Sequence, residues 1–220
     1  MNILVISPHP DDEVIGCGGF LLKKNNKDNK LFWAIITTCD KDNPDNKKFI
    51  SKRRSEIIKV SQKLKFTERF ELDFKTTMLD SVDKTQIIEK LTAVIQKCDP
   101  NILLIPYIHD AHSDHRVTAE CMMPFIKSFR FPNVRKVLMY ETLSETNFQF
   151  VSQAQFCPNY FIDISDYIDT KIEIAKLYAS EIGRHPFPRS SKSIKALAWL
   201  RGSQSGNQAA EAFQLIFAKE

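Results

Sequence analysis

Apolar positions along this chain fall into short blocks that switch between the continuous pattern of a buried strand and the three-to-four spacing of a helix. Residues 2–6 form an almost unbroken apolar run closed by Ser7-Pro8, which reads as a strand covered on both faces. Val14, Ile15, Phe20, Leu21 and Leu22 then predict a helix that ends in the polar stretch 23–30. Residues 31–38, rich in β-branched and aromatic side chains, predict a second strand. Residues 40–46 read as a loop by composition. Helical spacing returns over 48–64, through Ile50, Ile57, Val60 and Leu64, and over 84–98, through Ile87, Ile88, Leu91, Val94 and Ile95. Between these two helices residues 69–73 predict a short strand. Asp99-Pro100 stops the second helix, and residues 101–106 give another buried strand. Further on, 114–127 reads as helix, 134–140 and 160–164 as strands, 166–182 and 194–201 as helices, and 212–217 as either helix or strand.

Strands that alternate with helices over the first 140 residues predict an α/β protein with a mostly parallel sheet and helices on both faces. A chain of 220 residues fits one such domain, expected over 1–220, with 145–220 a less regular extension or cap. In sheets of this kind ligands bind at the carboxyl ends of the strands. Composition narrows the partners: 43% hydrophobic and 26% charged residues are ordinary for a soluble globular protein. A net charge of +4 is too mild for a nucleic-acid binder. The longest apolar runs are too short to span a bilayer, and a strand starting at residue 2 leaves no room for a signal peptide. Five scattered cysteines without a Cys-x-x-Cys pair argue against a disulfide framework or a zinc knuckle, and point to reduced thiols in a cytoplasmic protein.

The chemistry is concentrated. Four of the five histidines lie in two clusters, His9-Pro10-Asp11-Asp12-Glu13 and His109-Asp110-Ala111-His112-Ser113-Asp114-His115. Each follows a predicted strand, so nearly half a chain of sequence between them need not separate them in space. Imidazole and carboxylate groups brought together at strand ends make a divalent metal site, most often for zinc. A hydrolytic site needs about three protein ligands, an open position for water and a base off the metal. Consecutive Asp11 and Asp12 can divide the tasks of ligand and base. His112 and His115, three apart at a helix start, can do the same for ligand and proton donor. Asp114 between them is a candidate to fix a histidine tautomer.

Pro8-His9-Pro10-Asp11-Asp12-Glu13 and His112-Ser113-Asp114-His115 resemble the paired motifs of the PIG-L/LmbE family of zinc-dependent N-acetyl-sugar deacetylases. Supporting matches are Arg53-Arg54-Ser55-Glu56, Tyr140-Glu141-Thr142, residues 159–165, Arg201-Gly202-Ser203-Gln204 and Ala210-Glu211-Ala212-Phe213. The resemblance implies a Rossmann-like sheet. It implies that His9, Asp12 and His115 bind Zn2+, with Fe2+ as an alternative occupant. Asp11 would be the general base, and His112, as an imidazolium, would stabilise the oxyanion or protonate the leaving amine. Asp114 would orient His112, and Arg53 would contact the sugar or its anionic substituent. Asp110 stands where some relatives carry a tyrosine, and is expected to hold a neighbouring backbone or the His112 ring. The activity implied is removal of acetyl from an N-acetylglucosamine-like sugar or glycoconjugate. An amidase acting on a larger sugar-thiol or antibiotic-precursor conjugate, or a non-catalytic sugar- or metal-binding protein, are the alternatives.

Three weaker signals have plainer readings. Gly16-Cys17-Gly18-Gly19 follows carboxylates and does not fit Gly-x-Gly-x-x-Gly, so it predicts close helix–sheet packing and not a phosphate loop. Glu13 is expected at a helix start or behind the site. His185, in a proline-rich loop, reads as a surface histidine, and Trp33 as core.

Overall fold

In the computed structural model, which describes residues 1–39, 44–150 and 154–220, both faces of one sheet are covered by helices. The strands are β1 (Asn2–Ser7), β2 (Lys30–Thr38), β3 (Glu68–Lys75), β4 (Ile102–Pro106), β5 (Lys136–Tyr140), β6 (Tyr160–Asp163) and β7 (Ala210–Ala218). Their order is β3-β2-β1-β4-β5-β7-β6. The first five pair in parallel, while β7 runs antiparallel to both β5 and β6. The helices are α1 (Asp12–Lys24), α2 (Lys47–Leu64), α3 (Lys84–Cys98), α4 (Ser113–Met122), α5 (Ile168–Ala175) and α6 (Ser191–Ser205).

The unbroken apolar runs follow from this burial. In β1, Ile3 and Val5 enter one core while Leu4 and Ile6 enter the other. β2 divides the same way, with Leu31, Trp33 and Ile35 against Phe32, Ala34 and Ile36. Strands buried on both sides have no solvent face to show as alternation. α2 packs Ile57, Val60 and Leu64 into the first core, and α3 packs Ile87, Leu91 and Val94 into the second. Trp33 is fully buried, stacks on Phe66 and donates its indole N–H to Ser7 Oγ at 2.9 Å.

The chain leaves β1 toward β2 and β3, then returns to the other side of β1 for β4 and β5. The carboxyl ends of β1 and β4 therefore flank the point where the strand order reverses, the usual crevice for ligands in open α/β sheets.

Helix α1 contains a break that the periodicity did not show. Cys17 leaves helical geometry, with φ −145° and ψ 22°. The backbone N–H groups of Gly19 and Phe20 after the break donate to the Glu211 carboxylate of β7, at 2.7 and 2.6 Å. A carboxylate at a helical N-terminus is favoured by the unpaired N–H groups there. The glycines permit the close approach. A Cβ on Gly16 would lie 2.3 Å from Tyr140 Cδ2, and one on Gly19 would lie 2.6 Å from Ile164 Cγ2.

Other differences lie at element ends. The helix expected over 166–182 shortens to Ile168–Ala175, after which Leu177 and Tyr178 close tight turns onto Ile174 and Ala175. The helix expected to reach residue 127 ends at Met122 and continues as a 3-10 turn over Met123–Ile126, where Pro124 has no N–H to give. The ambiguous 212–217 segment is strand β7. Of the loop expected over 40–46, Pro44–Asn46 is a 3-10 turn and 40–43 lie outside the described residues.

Candidate metal centre and active site

The two histidine clusters meet. His9, Asp11 and Asp12 follow β1, and His112 and His115 follow β4. His9, Asp12 and His115 offer ligand atoms that all lie within 4.8 Å of one another. His115 Nε2 stands 3.3 Å from Asp12 Oδ2, and His9 Nδ1 stands 3.6 Å from the same oxygen. His115 and Asp12 are buried, and His9 is partly open to the cleft.

Each ring is aimed by a carboxylate behind it. Asp110 Oδ2 sits 2.8 Å from His115 Nδ1, and its other oxygen accepts from Thr146 Oγ1 at 2.6 Å. Asp110 therefore holds His115, not the His112 ring or a backbone group as expected. Asp114 Oδ2 sits 3.0 Å from His9 Nε2. Asp114 also accepts from the backbone N–H groups of Thr77 and Leu79, at 2.7 and 3.1 Å. The expectation that Asp114 orients His112 through its carboxylate is corrected: that carboxylate faces His9, and only the Asp114 backbone N–H reaches His112, donating to Nδ1 at 3.1 Å. His9, His112 and Asp114 form a second close group of ligand types. Asp114 is already engaged by two backbone donors and His9, which makes it an orienting carboxylate of the kind found behind metal-bound histidines.

Whether a cation fits can be judged from the donors. His115 Nε2 is buried and has no hydrogen-bond partner among the described residues, although most buried polar atoms find one. It lies 3.3 Å from Asp12 Oδ2 in a group with a His9 ring nitrogen, a mixed N/O set suited to zinc or iron(II). The charges agree. Burial would lower the pKa of His9, but Asp114 and Asp12 outweigh it and carry it up to about 9. Burial likewise opposes protonation of His115, while Asp12 and Asp110 hold its pKa well above the ordinary value. Burial alone would raise Asp12, yet the two histidines hold it well below the carboxylate range. The pocket stabilises positive charge, and a divalent cation would supply it.

Asp11 lies beside this set and is buried. Its φ of 138° is strained for any residue but glycine. Four hydrogen bonds hold it there. Its N–H donates to Glu13 Oε2 at 3.1 Å, its carbonyl accepts from Val14 and Ile15 at 3.0 and 2.9 Å, and its Oδ2 accepts from Arg189 Nη1 at 3.3 Å. Burial and the adjacent Asp12 push the Asp11 pKa up to about 7, against the opposing pull of Arg189. Glu13 is fully buried under Asp11 and accepts from Tyr178 at 2.6 Å. His112 lines the cleft, and burial with His9 nearby lowers its pKa to about 4. With Nδ1 accepting a backbone N–H, the neutral ring carries its proton on Nε2.

The cleft has a volume of about 620 Å³ and is lined by His9, Asp11 and His112 at its floor. Arg53 lies on its wall but is not a free cation. It donates to Glu181 and, at 3.1 Å, to Ser180 Oγ, and it lies 3.6 Å from Glu56. Arg189, Glu181 and Glu145, all lining the cleft, carry no motif in the sequence and went unnoticed there. The clue available was the proline-rich loop that holds Arg189. His185 of that loop is exposed, as expected of a surface histidine, and His109 is exposed with its ring edge-on to Tyr107.

Fold and site together define an α/β protein with a candidate His/Asp metal site at the reversal of its strand order. The chain belongs to the GlcNAc-PI de-N-acetylase (PIG-L) family, whose sequence pattern matches residues 4–126, more than half its length. It is 25% identical over 223 residues to diacetylchitobiose deacetylase of Thermococcus kodakarensis, covering 98% of this chain and 83% of the relative. N,N'-diacetylchitobiose deacetylase of Pyrococcus horikoshii has a similar structure, with a TM-score of 0.77, 20% identity, and coverage of 97% of this chain and 83% of that one. So does the 4-carboxy-2-hydroxymuconate hydratase of Pseudomonas putida, with a TM-score of 0.73, 18% identity, and coverage of 100% and 98%. A hydratase among the neighbours means the shared fold does not choose the reaction; the site must.

Proposed function

We propose that this protein is a zinc-dependent hydrolase that removes the acetyl group from an N-acetylated amino sugar or small glycoconjugate, acting as one domain over residues 1–220. The observation that carries the reading is the partnerless, buried Nε2 of His115 facing His9 and Asp12, with Asp11 beside it at the floor of an open cleft. Family membership and the named deacetylases among its relatives favour an amide substrate. His9, Asp12 and His115 would hold the ion, with Asp110 and Asp114 aiming the two rings. When bound, zinc would acidify a water and polarise the acyl oxygen.

The protein groups then divide the proton work. Asp11, raised toward neutrality by burial and Asp12, accepts a proton from the attacking water. With Asp12 engaged as a ligand, its repulsion of the Asp11 carboxylate would be relieved, so Asp11 would stay in its basic form. His112 presents a neutral Nε2–H to the oxyanion that develops on the acyl oxygen, a role that needs a donor and not a charge. Asp11 returns its proton to the sugar nitrogen as the C–N bond breaks, so acetate and a free amine leave. The burial that keeps His112 neutral is the reason to move the amine's proton from His112, as the imidazolium would have it, to Asp11. Five free cysteines support a cytoplasmic setting. No helix among the described residues is long and apolar enough to cross a membrane.

The test is acetate release from N-acetylglucosamine and diacetylchitobiose by protein loaded with zinc or iron(II). Asp11→Asn should retain its metal and lose about 10²–10⁴-fold in kcat, the usual worth of a positioned base. Full activity in that variant would remove Asp11 from the chemistry. Hydration of an unsaturated acid in place of acetate release would move the protein to the hydratase side of its fold relatives.

A further inference from the structure

Asp11 is held in a strained conformation by a set of residues of which three, Tyr178, Glu181 and Arg189, lie far from it in sequence, beyond the stretch matched by the family pattern. Arg189, just before α6, reaches Asp11 Oδ2 with Nη1 at 3.3 Å and Glu181 Oε2 with Nη2 at 3.0 Å. Glu181 gives its other oxygen to Arg53. Arg53 in turn donates to the carbonyl of Pro10 at 3.4 Å and lies over the Tyr178 ring, with 5.5 Å from the guanidinium to the ring centre. Tyr178 donates to Glu13, which receives the Asp11 N–H. The chain of contacts closes a loop around one peptide: Pro10 carbonyl, Asp11 N–H and Asp11 carboxylate are each held from a different side.

We propose that Arg189 is a positioning residue for Asp11, and that Glu181 sets its position by holding Arg189 and Arg53 together; this rests on the reading of Asp11 as the base. The planar guanidinium spans two carboxylates at a fixed angle, so it resists rotation of the Asp11 side chain in a way a lysine ammonium does not. Stability alone does not account for the residue. Arg189 Nε is buried without a partner, an unfavourable arrangement of the kind retained at functional sites. The segment from Tyr178 to Arg189 thus acts as a clamp on the turn that carries the base.

The experiment compares wild type with Arg189→Ala, Arg189→Lys and Glu181→Gln, measuring kcat, KM, bound metal and amide hydrogen exchange of the metal-free proteins. Arg189→Ala should lower kcat about 10–100-fold, the range for partners that aim catalytic groups, with KM and metal content unchanged. Guanidinium ion added to that variant should restore activity, while Arg189→Lys should stay low. Exchange over residues 9–14 should rise in Arg189→Ala even without metal. Glu181→Gln should lower kcat and raise KM together, because it loosens Arg53 as well. A kcat for Arg189→Ala within twofold of wild type, or a fall in kcat that tracks lost metal, overturns the proposal; so does unchanged exchange over 9–14. If wild type releases no acetate but exchange over 9–14 still rises in Arg189→Ala, the clamp stands and the deacetylase reading falls.

Discussion

Two buried ionic clusters serve the same helix in opposite ways. Under the break in α1, Lys171 donates to Ile15 O at 2.8 Å and to Glu211 at 2.7 Å, and Glu211 receives the Gly19 and Phe20 N–H groups. Neither side chain leaves a buried atom without a partner. At the start of α1, His9, Asp12 and His115 converge as densely, yet His115 Nε2 has nothing to bond. Charge burial is expensive in both places. In the first it is offset by partners that all hydrogen-bond one another; in the second the carboxylates are matched by the His9 and His115 rings, a balance that a divalent cation would take over. Density of charged residues alone does not distinguish scaffold from site. What marks the second cluster is an unpartnered ring nitrogen that lies among other ligand-type atoms next to the cleft.

That contrast can be broken by substitution on either side. The largest effect is expected for His9→Ala, which should abolish metal binding and reduce acetate release to background. Losing the ring also leaves the buried Asp114 and Asp12 carboxylates without the imidazole they hold, so the urea midpoint of the metal-free protein should fall too, but by less than for a lysine buried on every side. Metal analysis and unfolding curves on one preparation check both halves. Lys171→Met should behave in reverse. Leaving buried Glu211 without its cation should cost about 3–5 kcal/mol of stability while bound metal and kcat persist. A loss of metal in that variant would show that the two clusters are coupled through α1. Asp110→Asn sharpens the boundary between them, since Asp110 is buried like Lys171 but faces a ligand. It should weaken zinc about 10–100-fold by competition with a chelator. The smallest effect belongs to Gly16→Ala, which forces a methyl against Tyr140 and should lower stability by about 1–3 kcal/mol in the same urea assay.

Much of this was legible in the sequence, and the residues show where legibility ended. Strands β1, β2 and β4 announce themselves because both faces are buried, so each reads as an apolar run. The two His/Asp clusters were legible because their chemistry is rare and concentrated, and the family resemblance singled out His9, Asp12 and His115 within them. The partners were not. Asp110 and Asp114 sit beside the same histidines in sequence, and which ring each aims depends on side-chain direction in three dimensions. Arg189 and Glu181 reach the site from the other end of the chain with no local pattern at all. The motif pieces Tyr140-Glu141 and Arg201-Gly202 proved to be scaffold. Arg201 grips Glu141 with two hydrogen bonds, at 2.7 and 2.6 Å, and Tyr140 packs on Gly16.

The capping of α1 by Glu211 also sets an order of events during folding. The two groups it joins to itself are 192 and 191 residues away along the chain. Loops of that size close late, because their entropy is lost before the contact returns anything. The second half of the first helix therefore gains its cap only when β7 docks between β5 and β6. The turn that carries Asp11 and Asp12 leads directly into that helix, so the element that starts at the site is anchored at its far half by a strand from the other end of the chain.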